Sequence, residues 1–131
     1  MRIIVLGATG MAGTAVVNEA LSRGHEVTAV SRRRRHRAGA GVTSCLLDVT
    51  DVESVADLLK DGDAAVVALR PPAGHESDLV RLTEAVLDAA SRSRTPLLII
   101  GGAAPLSSPT DPSTLAIDDP TIVPPAWRDV A

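Results

Sequence analysis

Glycines at positions 7, 10 and 13 are the residues in this chain best placed to do chemistry. They follow the aliphatic run Ile3-Ile4-Val5-Leu6 and precede Val16, Val17, Ala20 and Leu21 at helical spacing. An apolar strand that stops in a glycine turn and re-emerges as an amphipathic helix presents unsatisfied N–H groups at the helix start, and such groups hold anions. Gly7 permits the tight turn, Gly10 lets backbone come within contact distance of a pyrophosphate, and Gly13 lets helix and strand pack closely. Each task excludes a β-carbon. A lone three-glycine match also occurs in ordinary strand-helix turns, but in this setting it predicts a dinucleotide-phosphate site formed by Gly7, Thr9, Gly10, Met11, Ala12 and Gly13.

A second group lies at the end of the next strand-like run. There a carboxylate would bind the ribose hydroxyls of NAD, whereas this chain has Ser31 followed by Arg32 and Arg33. A guanidinium bonds a 2′-phosphate in a charged fork that a carboxylate would repel, so NADP(H) is the expected cofactor, with NAD(H) disfavoured. Arg34, Arg35, His36 and Arg37 read as a solvated basic loop. No nucleic-acid partner is expected, because the chain is acidic overall at a net charge of −3 and has no aromatic residues between the basic ones. Asp48 suits either a hydrogen bond from the adenine amine or a cap on the helix entered at Thr50. Ala68, Leu69 and Arg70 leave the fourth strand on the ligand side, where small apolar side chains can cover the adenosine half. Gly101 and Gly102 leave the fifth strand toward the expected nicotinamide position, where glycine permits close approach or simply a flexible exit.

Other residues with chemical capacity read as structural. His25 and His75 are isolated, Asp118-Asp119 lacks a third ligand nearby in sequence, and no metal site is expected. The single Cys45 sits inside Val42-Thr43-Ser44-Cys45-Leu46-Leu47 and reads as a buried strand residue with a suppressed thiolate. There is no Phe and no Tyr, and Trp127 is the sole aromatic residue, so a phenol cannot serve as a proton donor.

Elements in a definite order must position these groups. Strand-like runs at Arg2–Leu6, Glu26–Val30, Val42–Leu47, Asp63–Leu69 and Pro96–Ile100 alternate with helical patterns. The runs are nearly unbroken in aliphatic residues, which predicts a parallel sheet buried on both faces. One helix closes at Gly24. The next opens with a Thr50–Glu53 capping box and ends at Gly62, and a third runs from about Ser77 to Ser91 with Leu79, Leu82, Val86 and Ala89 as its apolar stripe. Right-handed crossovers then give an α/β Rossmann doubly wound parallel sheet of strand order 3-2-1-4-5, with the Gly7 turn at its switch point.

The 131 residues make one domain of ordinary globular composition, 45% apolar, with no run of membrane-spanning length and no secretory leader. A cytoplasmic protein with no membrane partner is expected, as a monomer or homodimer. After Ile100 the pattern breaks. Residues 101–131 hold six of the nine prolines and show no period. The domain reading is therefore residues 1–105 as the nucleotide-binding unit and 106–131 as a proline-rich loop or tail, an incomplete substrate region of a chain that looks cut short.

Four blocks together, Gly7-Ala8-Thr9-Gly10-Met11-Ala12-Gly13, Gly24 to Arg32, Asp48-Val49-Thr50-Asp51 and Ile99-Ile100-Gly101-Gly102-Ala103, resemble the atypical short-chain dehydrogenase/reductase proteins. The closest resemblance is to their NmrA-like, NAD(P)H-binding flavin- or quinone-reductase branch. It covers residues 1 to about 105 well and the remainder loosely. The resemblance implies phosphates on Gly10 to Ala12, a 2′-phosphate on Arg32 and Arg33, adenine near Asp48 and Val49, and nicotinamide near Gly101 to Ala103. It also implies hydride transfer to a flavin, quinone or similar small acceptor, or else cofactor binding by a non-catalytic regulator, with a truncated remnant as a further alternative. Classical relatives run proton transfer through a Ser and a Tyr-Lys pair; here Ala103 and Ala104 occupy the Ser region, Tyr is absent, and the only lysine is the distant Lys60. Ketone reduction by that relay is excluded, whereas hydride transfer to a flavin or quinone needs less acid-base help.

Overall fold

The computed structural model describes residues 1–33, 39–72, 74–102, 105–125 and 128. Strands β1 (Arg2–Leu6), β2 (Glu26–Ser31), β3 (Val42–Leu46), β4 (Ala64–Val67) and β5 (Leu97–Ile99) form one sheet, and helices α1 (Met11–Ser22), α2 (Val52–Lys60) and α3 (Asp78–Ser93) connect them. The strand order is 3-2-1-4-5 and every neighbouring pair is parallel, as the alternation of the sequence predicts.

Period-two alternation divides the core between the two faces of the sheet. Val5, Val27 and Ala29 pack with Ala8, Val17 and Ala20 on the α1 side. Ile4, Leu6, Val30, Ala65 and Val67 pack on the other side with Val55, Ala56 and Leu59 from α2 and Leu82, Val86, Ala89 and Ala90 from α3. Fully burying an aliphatic side chain such as Leu59 or Val86 contributes about 2 kcal/mol, which is what fixes these helices against the sheet.

The outer strands depart from the expectation of a wholly interior sheet. Leu98 is 63% exposed and Ile99 and Ile100 are also exposed, while Cys45 is half-buried rather than a core residue. For Leu98, whose neighbour Val66 pairs with Val5 on the α1 face, the reason is helix supply. Among the described residues α1 is the one helix on its face, and it packs on β1 and β2, leaving the same face of β4 and β5 without a covering helix.

Several element ends also differ from expectation. The capping box does not form. Asp51 is the N-cap of α2, accepting hydrogen bonds from the Ser54 amide (3.2 Å) and hydroxyl (2.7 Å). Thr50 instead donates its amide and hydroxyl to Asp48 in the preceding turn. Helix α3 continues to Ser93 because Arg94 adopts the left-handed conformation (φ 57°) usually supplied by glycine, so no sequence signal marks the end. Strands β4 and β5 are shorter at both ends than the runs Asp63–Leu69 and Pro96–Ile100, and past the carboxyl end of β4 Ala68 and Leu69 form part of the wall of a cleft.

The proline-rich segment is more ordered than its composition suggests. Ser107 bridges Leu115, a 3-10 turn spans Ala116–Asp118, and Asp119 organises the surrounding backbone. Its Oδ2 accepts from the hydroxyls of Ser108 (2.6 Å) and Thr110 (2.7 Å), and its Oδ1 from the amide (2.9 Å) and hydroxyl (2.6 Å) of Thr121. These donors, led by the Ser108 hydroxyl, hold the Asp119 carboxyl well below the ordinary carboxylate range. A carboxyl whose pKa is depressed by folding stabilises the folded segment above its unfolded pKa and loses that contribution as the pH falls through the folded value. Asp119→Asn should therefore remove hydrogen-exchange protection from the Ser108, Ala116 and Val123 amides at neutral pH while β1 and β2 stay protected. Unchanged protection at those three amides would show that the carboxylate does not hold the segment.

Candidate functional site: the cleft at the glycine turn

The main-chain amides of Gly7 and Ala8 both donate to the Val30 carbonyl (3.0 Å each), so the end of β1 is tied to β2 at the carboxyl edge of the sheet. The turn then closes with the Gly10 amide on the Gly7 carbonyl (3.1 Å) and the Thr14 amide on the Gly10 carbonyl (2.8 Å). Thr14 also donates its hydroxyl to Ala8 O (3.1 Å). The amides of Met11, Ala12 and Gly13 have no acceptor among the described residues, and no side chain caps the helix. These are the orphan donors of a helix start, held at the mouth of a cleft.

Two of the three glycines are required by the protein itself. Gly7 has φ +86°, and a β-carbon on it would lie 2.4 Å from the Ala68 carbonyl oxygen. A β-carbon on Gly13 would lie 2.1 Å from the Gly7 carbonyl oxygen and 2.8 Å from its carbon. Gly10 differs. Its φ is −75°, and a β-carbon would reach only ordinary contact, 3.4 Å from the nearest protein atom. Protein packing does not account for glycine at position 10, and the residue is exposed beside the cleft, where an added β-carbon would occupy ligand space.

The cleft has a volume of about 230 Å³. Gly7, Thr9 and Gly10 form one end, Val30, Ser31 and Arg32 follow from β2, Leu47 and Val49 from the β3–α2 connection, Ala68, Leu69 and Arg70 from the exit of β4, and Leu82 from α3. Among the described residues its two ionisable side chains are both arginines, with no carboxylate in the lining, in a chain whose net charge is −3. A wider groove of about 790 Å³ runs along β3 and the amino ends of β1 and β2. It has no strand-to-helix glycine turn with free helix amides, and Glu26 and Asp61 beside Arg2 make it unsuitable for a phosphate.

Of the residues expected at the site, Gly7, Thr9, Gly10, Arg32, Val49, Ala68 and Leu69 line this cleft together. Met11, Ala12 and Gly13 stand behind its glycine end as the first turn of α1, and Met11 presents an exposed side chain. Arg33 is exposed and does not line it. Asp48 flanks the cleft between Leu47 and Val49 without lining it. The Thr50 amide (3.0 Å) and hydroxyl (2.8 Å), both on Oδ1, hold its carboxyl below the ordinary range, and the Arg32 and Arg81 guanidinium charges add to the effect. Gly101 and Gly102 are exposed past β5 and lie outside the lining, and a β-carbon on Gly101 would meet open space, so no protein contact requires glycine there. Ala103, Ala104, the Arg34–Arg37 run and Trp127 fall outside the described residues.

Sequence reasoning missed Val30, Leu47 and Leu82, whose apolar types signal core first. Their position at strand and helix ends facing the switch point is the one clue that they also floor the cleft. Among the described residues no helix is long and apolar enough to cross a membrane, and no group of three His, Cys, Asp or Glu side chains could hold a metal.

Known proteins resemble this chain in sequence and fold. The family model described as NAD(P)H-binding matches residues 7–126. A curated relative, the uncharacterised protein YwnB of Bacillus subtilis (strain 168), is 34% identical over 121 residues, covering 92% of this chain and 56% of the relative. Among solved structures, a Burkholderia pseudomallei protein described as a candidate exported protein is 32% identical with a TM-score of 0.81, covering all of this chain and 61% of its own. A Streptococcus pneumoniae protein described as a candidate NADH-flavin reductase is 28% identical with a TM-score of 0.75, covering 99% of this chain and 60% of its own. The chain thus spans between half and two thirds of the length of these relatives. With the parallel sheet, the glycine turn and the family match in agreement, the chain belongs to the NAD(P)H-binding family and has its Rossmann-like fold.

Proposed function

We propose that this chain is the cofactor-binding portion of an NADPH-dependent reductase of the NmrA-like type, passing hydride to a flavin, quinone or similar small acceptor. The observation that carries the reading is the cleft itself: three helix amides unpartnered among the described residues, at a glycine that protein packing does not require, in a described lining with two arginines and no acid. A dinucleotide fits that chemistry. The amides of Met11, Ala12 and Gly13 would receive the pyrophosphate, Arg32 the 2′-phosphate, and Val30, Leu47, Val49 and Leu82 the apolar faces of adenine. When bound, the dihydronicotinamide supplies the hydride, and the protein contributes binding and orientation.

Two features favour a flavin or quinone acceptor over a ketone. Within these 131 residues there is no tyrosine, and the one lysine, Lys60, lies in α2 on an exposed surface, so this portion supplies no phenol-lysine pair to protonate an alkoxide. The likeness to the Streptococcus pneumoniae protein supports a flavin in particular. Purified chain mixed with NADPH and a panel of flavins and quinones should consume the nicotinamide absorbance only when an acceptor is present. Tight NADPH binding with no turnover for any acceptor would replace the reductase by a cofactor-responsive regulator, and binding of neither NADPH nor NADH would overturn the cofactor reading altogether.

A further inference from the structure

The glycine turn has only dipoles to offer a pyrophosphate. Residues 7–14, Gly-Ala-Thr-Gly-Met-Ala-Gly-Thr, contain no ionisable side chain, and the first turn of α1 carries no basic residue. Backbone amides orient a pyrophosphate well but leave its two negative charges without a countercharge. Arg32 stands at the ribose end of the cleft, next to Ser31 and Val30 of β2.

The other cation in the lining is Arg70. The exit of β4 abuts the turn: a β-carbon on Gly7 would lie 2.4 Å from the Ala68 carbonyl oxygen, and one on Gly10 would lie 4.0 Å from it. Arg70 follows two residues later on the same wall, is exposed, and forms no hydrogen bond or ion pair among the described residues. Glu76 is the carboxylate nearest in effect. Its Oε1 accepts instead from the Gly74 amide at 3.0 Å, and no contact within 4 Å joins it to Arg70.

Resting on the NAD(P)H reading above, we propose that Arg70 is a cofactor-binding residue that closes over the pyrophosphate from the β4 wall, opposite the amides of α1. The cradle then has two complementary halves, neutral donors from the glycine turn and one full positive charge from β4. Arg32 selects between dinucleotides by the 2′-phosphate, whereas Arg70 contributes equally to both because both carry a pyrophosphate.

The test uses the full chain, its Arg70→Gln and Arg70→Lys variants, and three probes titrated at one ionic strength. ADP-ribose has the pyrophosphate without a 2′-phosphate or nicotinamide, adenosine 2′-monophosphate has the 2′-phosphate alone, and NADPH has both. Arg70→Gln should weaken ADP-ribose and NADPH by about tenfold or more and leave adenosine 2′-monophosphate unchanged, with Arg70→Lys recovering part of the loss. ADP-ribose binding unchanged in Arg70→Gln overturns the role of Arg70 and leaves the cofactor reading intact. Equal weakening of adenosine 2′-monophosphate also overturns it, since the charge would then act at the ribose end or on the fold. Failure of the unaltered chain to bind ADP-ribose and NADPH would overturn the cofactor reading and the Arg70 assignment together.

Discussion

Gly13→Val is expected to cost the fold about 3 kcal/mol or more and to eliminate dinucleotide binding. The first added carbon would sit 2.1 Å from the Gly7 carbonyl oxygen and 2.9 Å from the Ala8 α-carbon. All of these are backbone atoms, so no side chain can rotate aside. Either α1 lifts from β1, exposing Val17 and Ala20, or the turn that carries the orphan amides is displaced. For a domain of this size the loss corresponds to a fall in Tm of about 10 °C. Gly10→Ala provides the contrast. Its β-carbon makes only ordinary contact with protein, and the substitution at a helix N-cap should cost less than about 1 kcal/mol while still occupying the space a phosphate needs. Thermal melts and NADPH titrations on both variants separate the two jobs of the motif. A Gly13→Val protein that melts like the parent would show that α1 does not need to lie against the turn.

Arg32→Asp is expected to invert cofactor preference. Removing a charge-assisted hydrogen bond to a 2′-phosphate costs about 2 kcal/mol, or roughly thirtyfold in affinity, and the new carboxylate adds repulsion to that loss. NADH has hydroxyls at that position and should bind the variant at least as well as the parent, because a carboxylate can accept from them. Arg32 is exposed at the end of β2, so the fold should tolerate the change. Dissociation constants for both cofactors at the same ionic strength decide the matter. Equal weakening of the two would place the 2′-phosphate elsewhere.

The topology was legible because its signals are local and repeated. Four-residue aliphatic runs separated by helical stripes specify a parallel sheet, and the register follows once Gly7 and Gly24 mark the turns. The edges were not legible. Whether Leu98 and Ile100 are covered depends on how many helices reach that face, a count that aliphatic composition does not carry. Asp48, Thr50 and Asp51 illustrate a second limit. Several residues could cap α2, and the choice was settled by short-range geometry, with Asp51 taking Ser54 and Asp48 taking Thr50. Asp119 shows a third: a carboxylate gathering Ser108, Thr110 and Thr121 across a proline-rich stretch has no periodicity to betray it. At the cleft, the glycine end could be read from residue types alone, whereas the apolar floor from Val30, Leu47 and Leu82 required knowing which strand and helix ends converge.

Because Gly7 and Ala8 are both fastened to Val30 and Gly13 lies hard against the Gly7 carbonyl, the glycine turn, the proposed seat of the pyrophosphate, is held in shape by the protein's own contacts. Occupancy then demands little reorganisation of the main chain, and the ordering penalty that weakens binders with flexible loops is largely absent here. Coenzyme would act on this domain as a thermodynamic ballast, raising its melting point with the logarithm of free concentration and leaving its secondary structure unaltered.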